Sequence, residues 1–170
     1  LGRQKHIATE HCGNIAPLDL NEYREKEGFA ALKKVLSENR SQAIIAAVRQ
    51  SGLRGRGGAG FSTGVKWAAV ESADSDQKYI VMNGDEGDPG AFMDRMLLES
   101  YPYRVIEGMT IAAFAVGARE GILYIRAEYP LAVERMKAAI AMCENAGLLG
   151  ENILDSGFSL DLRIMEGAGA

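Results

Sequence analysis

Cysteine is scarce in this chain: Cys12 and Cys143 stand alone in 170 residues, with no C-x-x-C pair. That spacing supplies neither a disulfide framework nor a complete thiolate metal site, and it fits a reducing cytoplasm. Histidine is as scarce, with only His6 and His11, both near the start. A histidine-based hydrolytic metal centre therefore lacks its ligands. Basic residues are not in excess: 19 Lys and Arg face 23 Asp and Glu, for a formal charge of -4. This balance gives no footprint for nucleic acid. The longest apolar runs, such as Met109 to Val116, fall well short of the ~20 residues that span a bilayer. No secretory signal is visible. What remains, 47% hydrophobic and 25% charged, is the composition of one globular domain with a real core, for which a small-molecule ligand is a better first guess than nucleic acid.

The stretch to about Glu27 is polar and irregular and reads as an extended lead-in arm, followed by one domain over residues 28–170. A helical period runs from Gly28 to Leu36 through Phe29, Leu32, Val35 and Leu36, and a second from Gln42 to Gln50. Val65 to Ser72 reads as a helix, and Lys78 to Met82 as a short buried strand ending in Asn83. Further helices are expected over Asp94 to Glu99, Tyr103 to Val116 and, opening on proline, Pro130 to Asn145. Ile122 to Arg126 and Ser159 to Met165 read as strands. The order predicts an α/β fold: a small, mostly parallel sheet flanked by helices.

Between Gly52 and Gly64 there are six glycines in thirteen residues. Gly55-Arg-Gly57-Gly-Ala-Gly60 satisfies G-x-G-x-x-G, but the dinucleotide fingerprint needs a strand before the glycines, and here a helix precedes them. The fold is thus Rossmann-like without the usual strand-GxGxxG-helix order. No Walker sequence is present. Consecutive glycines still let backbone N–H groups approach a phosphate at the start of a helix, with Arg54, Arg56 and Lys66 as nearby cations. A flexible linker is the alternative. Phe61 is a candidate for ring stacking, whereas core packing is the commoner fate of Trp67.

The second dense stretch places Asn83, Asp85, Glu86, Asp88 and Asp94 within twelve residues, directly after a strand. Ligands of open α/β sheets collect outside the carboxyl ends of strands. Ionised carboxylates offer acceptors to ribose or ribityl hydroxyls, and Asn83 adds a donor. A hard divalent cation is the alternative ligand, although the spacing fits no EF-hand. A solvated turn cornered at Pro89-Gly90 is the structural alternative, with Asp94 capping the next helix.

Gly55-Arg-Gly-Gly-Ala-Gly-Phe-Ser-Thr-Gly-Val-Lys-Trp67 is similar to the glycine-rich signature of the NADH-oxidising flavoprotein subunit of respiratory complex I. Asn83-Gly-Asp-Glu-Gly-Asp-Pro-Gly-Ala-Phe-Met-Asp-Arg95 resembles the second motif of that family, and Gly167-Ala-Gly-Ala170 the start of a third. Ile125-Arg-Ala-Glu-Tyr-Pro-Leu131 looks closest to the subunits of soluble NAD(P)-linked hydrogenases and formate dehydrogenases. The resemblance implies FMN and NAD(H) or NADP(H) as cofactors, hydride transfer at the flavin, and onward electron transfer to the iron–sulfur subunits of a redox complex. No side chain need act as a chemical catalyst, Glu86 being the nearest candidate. A membrane-inserted segment is not expected.

Position by position, the resemblance assigns Gly55, Arg56, Gly57, Gly58, Lys66, Asn83, Asp85 and Glu86 to FMN, and Gly60, Phe61, Glu86 and Asp88 to the nicotinamide nucleotide. No residue is assigned to a metal. Three positions depart from the family pattern. Asp88 stands where many members have glutamate, Ser62 where proline is frequent, and Ala69 where a second aromatic ring is common. The resemblance further implies that more flavin contacts, a ubiquitin-like domain and a [4Fe-4S] domain follow in the family. On that basis this chain is expected to be a fragment that binds FMN weakly or not at all and is inactive alone. A non-catalytic nucleotide-binding scaffold remains the competing function, and a metal-dependent phosphate-ester enzyme a third.

Overall fold

The computed structural model describes residues 5–168. Three parallel strands form one sheet in the order β1 (Tyr79–Gly84), β2 (Glu120–Arg126) and β3 (Asp161–Gly167). Their register aligns Tyr79 with Glu120 and Glu120 with Asp161. Helices α2 (Ala30–Glu38), α3 (Ser41–Gln50) and α4 (Thr63–Glu71) precede β1. Helices α5 (Met93–Ser100) and α6 (Pro102–Val116) join β1 to β2, and α7 (Pro130–Asn145) joins β2 to β3. The glycine loop therefore lies between two helices, outside the Rossmann pattern, as the sequence predicts. Proline at the first turn starts both α6 and α7, where its missing N–H costs nothing.

Helices α6 and α7 cover one sheet face, α6 against β1 and β2 and α7 against β3. Leu123 and Ile125 of β2 are fully buried beneath them, with Ala113 and Met136 from the helices. Two crossovers that step the same way along a sheet, each with the usual right hand, leave their helices on the same side. The opposite face is open. Val81 is 60% exposed there, Met165 47% and Tyr79 43%. The expectation of a buried first strand is thus corrected: β1 is an edge strand covered on one side only.

The lead-in is also not the extended arm expected from its polarity. Leu20–Glu25 forms a short helix, α1, started by Asp19, whose carboxylate accepts from the backbone N–H of Asn21 at 3.0 Å and of Glu22 at 2.9 Å. Ile15, Leu20 and Tyr23 are buried in the common core. Tyr23 packs edge-on to Phe29 and Tyr101, and its hydroxyl donates to Glu107 at 2.6 Å. The carboxylate of Glu107 also accepts from the N–H of Phe29 at 3.0 Å and of Leu32 at 3.2 Å, closing the start of α2 from across the core. Burial, then the Glu107 contact, pushes the Tyr23 phenol far above its ordinary value. Cys143 is buried and its thiol is pushed up to about 12 by desolvation, while Cys12 is half-buried.

Candidate functional site

Leu53 to Thr63 is a tied loop. Arg54 and Ser62 form an isolated antiparallel bridge, the Gly55 N–H donates to the Phe61 carbonyl at 2.8 Å, and the Thr63 N–H donates to that of Leu53 at 3.0 Å. Arg54 reaches across to the Gly60 carbonyl at 2.9 Å, so this cation is a strut of the loop. Arg56 and Lys66 are exposed and form no salt bridge among the described residues. Gly58 (φ 99) and Gly60 (φ 62) hold left-handed backbone, which a side chain would strain. Gly57 does not, and a Cβ there would meet nothing within 4 Å. Bare backbone on an exposed tip matches a cradle that a ligand approaches closely.

The loop faces β1. One cleft of about 500 Å³ is lined by Gly55, Phe61, Lys66, Trp67, Tyr79 and Val81 among others. A neighbouring apolar cleft of about 600 Å³ uses Phe61, Lys66, Ala69 and Tyr79. Phe61 is 54% exposed beside both, available to stack, whereas Trp67 packs partly against the core. A third depression, about 380 Å³, joins Asn83 and Asp85 to Val81, Ile122, Tyr124 and Met165 on the open sheet face. Val81 lines two of these clefts, so the glycine loop and the first half of the acidic loop border one continuous surface. Arg56, Gly57, Gly58 and Gly60 line none of them, and neither do Glu86 and Asp88.

At the carboxyl end of β1 the Asn83 side-chain carbonyl accepts from the Asp85 N–H at 3.0 Å, turning the chain off the sheet. The Oδ1 atom of Asp85 is buried and accepts no hydrogen bond. Its charge is met by the Arg126 guanidinium at 3.6 Å, beyond hydrogen-bond reach, so its acceptor capacity stays available to a hydroxyl donor. Asp88 is exposed, and its backbone carbonyl accepts from Ala91 N–H at 3.0 Å. The capping role at α5 expected of Asp94 is corrected by the geometry. Asp94 lies inside the first turn, and the Glu86 carboxylate accepts from the N–H of Asp94 at 3.1 Å and of Arg95 at 3.2 Å. Burial first, and then the charge of Glu86, raise the Asp94 carboxyl above its usual range. Among the described residues, no group of His, Cys, Asp and Glu gathers to hold a metal ion.

The carboxyl end of β2 adds residues to which sequence reasoning gave no role. Arg126 donates through Nη1 to the Glu86 carbonyl at 2.6 Å and, through Nε and Nη2, to both oxygens of Glu128 at 2.9 Å. Its Nε also stands 3.6 Å from the Oδ1 atom of Asp85. The Tyr129 hydroxyl lies 3.4 Å from the Glu86 carbonyl and carboxylate, and its ring carries Arg95 and Arg126 at 5.4 and 5.5 Å. The paired Arg126 keeps the Glu128 carboxyl below its ordinary range, and the same contact raises the guanidinium of Arg126. Tyr124, within β2, lies on the open face beside Asn83 and Asp85. The rule that placed the ligand beyond β1 would have found Arg126 and Tyr129 if applied to the adjacent strand.

Along most of its length the chain is similar to known proteins. The chain is 50% identical over 168 residues to the NADP-reducing hydrogenase subunit HndC of Solidesulfovibrio fructosivorans, a match covering 99% of this chain and 34% of that protein. It is 43% identical over 154 residues to a subunit of the NADH-quinone oxidoreductase of Escherichia coli (strain K12), covering 90% of this chain and 35% of the relative. It therefore spans about a third of the length of these curated relatives. The crystal structure of an NAD+-reducing [NiFe]-hydrogenase in the H2-reduced state superposes with a TM-score of 0.74 at 31% identity, over 98% of this chain and 26% of that one. The family model described as the Nuo51 FMN-binding domain matches residues 48–170, and the chain belongs to that family.

Proposed function

We propose that this chain carries much of the FMN and NAD(P)H site of an electron-entry subunit in a multisubunit redox complex. The observation that carries the reading is the buried Oδ1 of Asp85, which accepts no hydrogen bond and has only the Arg126 guanidinium 3.6 Å away, beside Asn83 and across Val81 from the glycine loop. The acceptor suits a ribityl hydroxyl, and the loop's free N–H groups with Lys66 and Arg56 suit the flavin phosphate. Gly55, Gly57 and Gly58 present bare backbone at their own positions in that loop. Glu86 borders flavin and nicotinamide, while Gly60, Phe61 and Asp88 serve the nucleotide. Phe61 offers one aromatic wall, and Ala69 leaves the other side of the adenine site open.

Bound FMN supplies the conversion of a hydride from NAD(P)H into single electrons for iron–sulfur clusters, among them a [4Fe-4S] centre outside residues 1–170. The protein's own task is to hold two rings in register, keep water off them and meet the phosphate with donors. Residues 1–170 alone hold FMN weakly and do not turn over. The full-length protein with FMN should reduce ferricyanide or a viologen at the expense of NADH or NADPH. Failure with both nucleotides overturns the reading. Lys66→Ala should weaken FMN binding about tenfold if the ammonium reaches the phosphate. Unchanged affinity, read by flavin fluorescence, would leave Lys66 a surface charge.

A further inference from the structure

The acidic loop presents an electrostatic problem. Asp85, Glu86 and Asp88 follow one another within four residues, Asp94 faces Glu86, and Glu128 approaches from β2. Carboxylates this close repel one another and would splay the loop away from the sheet. Arg126 is the cation placed among them, and its contacts divide into two kinds. Toward β2 it is anchored, with both Glu128 oxygens at 2.9 Å and the Tyr129 ring beneath it. Toward the loop it grips the backbone at the Glu86 carbonyl, 2.6 Å away, leaving that residue's carboxylate for the start of α5. It also faces Asp85 at 3.6 Å, too far to use up the lone oxygen.

We propose that Arg126 is a positioning residue that pins the Glu86 backbone to the end of β2 and so presents the Asp85 carboxylate to the ligand. The proposal rests on the FMN reading above. Both the charge and the planar fork matter. A lysine ammonium would keep the charge and three donors but lacks the planar fork that meets both Glu128 oxygens side by side, reaches the Glu86 carbonyl and lies flat on the Tyr129 ring.

The test uses the full-length protein loaded with FMN, comparing Arg126→Gln, Arg126→Lys and the distant Glu107→Gln, which costs stability without touching the loop. Arg126→Gln should raise the FMN dissociation constant about tenfold, and Arg126→Lys several-fold, because charge-assisted bonds to the loop are lost. Glu107→Gln should bind FMN as wild type does, although it melts earlier. A merely structural Arg126 would weaken FMN no more than Glu107→Gln does. Wild-type affinity in Arg126→Gln overturns the proposal. If that variant does not fold, Arg126→Lys decides, and affinity within twofold of wild type overturns it. No FMN binding by the wild-type protein would sink the functional reading itself, and this proposal with it. Binding by wild type with unaltered Arg126 variants sinks this proposal alone.

Discussion

Glu107 sits near the middle of α6, buried among Ile106, Met109 and Thr110. Its three donors come from residues 75 to 84 positions away, so one side chain fastens the α1–α2 region to the central helix. Glu107→Ala would leave the Tyr23 hydroxyl and two backbone N–H groups unpaired. At about 1 kcal/mol or more for each orphaned group, the loss is on the order of 3 kcal/mol. For a domain of this size that corresponds to roughly 6–12 °C in melting temperature, measurable by calorimetry on the full-length protein. Glu107→Gln keeps the shape but gives up a charge at a helix start, and should cost about 1 kcal/mol. A melt unchanged in Glu107→Ala would mean that water replaces the lost acceptor.

Glycine positions around the tied loop separate packing from ligand approach. A Cβ on Gly64 would lie 2.6 Å from the Arg49 Cα and 2.7 Å from its N, backbone atoms that cannot swing aside. Gly64→Ala should therefore push α4 from α3 and cost about 1–3 kcal/mol. Gly57→Ala meets open space and needs no left-handed backbone, so thermal unfolding should not change while FMN affinity falls. Loss of stability in Gly57→Ala, or wild-type FMN binding, would count against the cradle. At this scale the sequence was informative. The loop's limits, its place after α3, and the burial of Leu32 and Leu36 along α2 were all readable, because each is a local pattern, although α2 starts at Ala30 and the expected helical Phe29 stands before it in left-handed backbone. Four features were not: the fold-back of Tyr23 onto Glu107, the capping of α5 by Glu86, the strut made by Arg54, and the role of Arg126. The Tyr23 and Arg126 contacts join residues distant in sequence. The other two depend on where a charged side chain points within its own loop.

Taken whole, the molecule has a dry face and a wet one. Val81, Ile122, Tyr124 and Met165 lie together on the uncovered side of the sheet, yet parallel sheets are ordinarily covered on both sides. Residues 1–170 prepared alone should bind a hydrophobic dye and self-associate as concentration rises. Replacing Val81 and Met165 together with threonine and glutamine should reduce both. A monodisperse fragment with no dye signal would show that four side chains of this size are tolerated in water. Among the described residues no helix is long and apolar enough to cross a membrane. The tied loop has another consequence. Its base is already closed by backbone pairing, so little chain must be ordered when a phosphate arrives. Capture should then run at the pace of encounter, with residence time set by how well the cradle's contacts hold and not by how often the loop finds its shape.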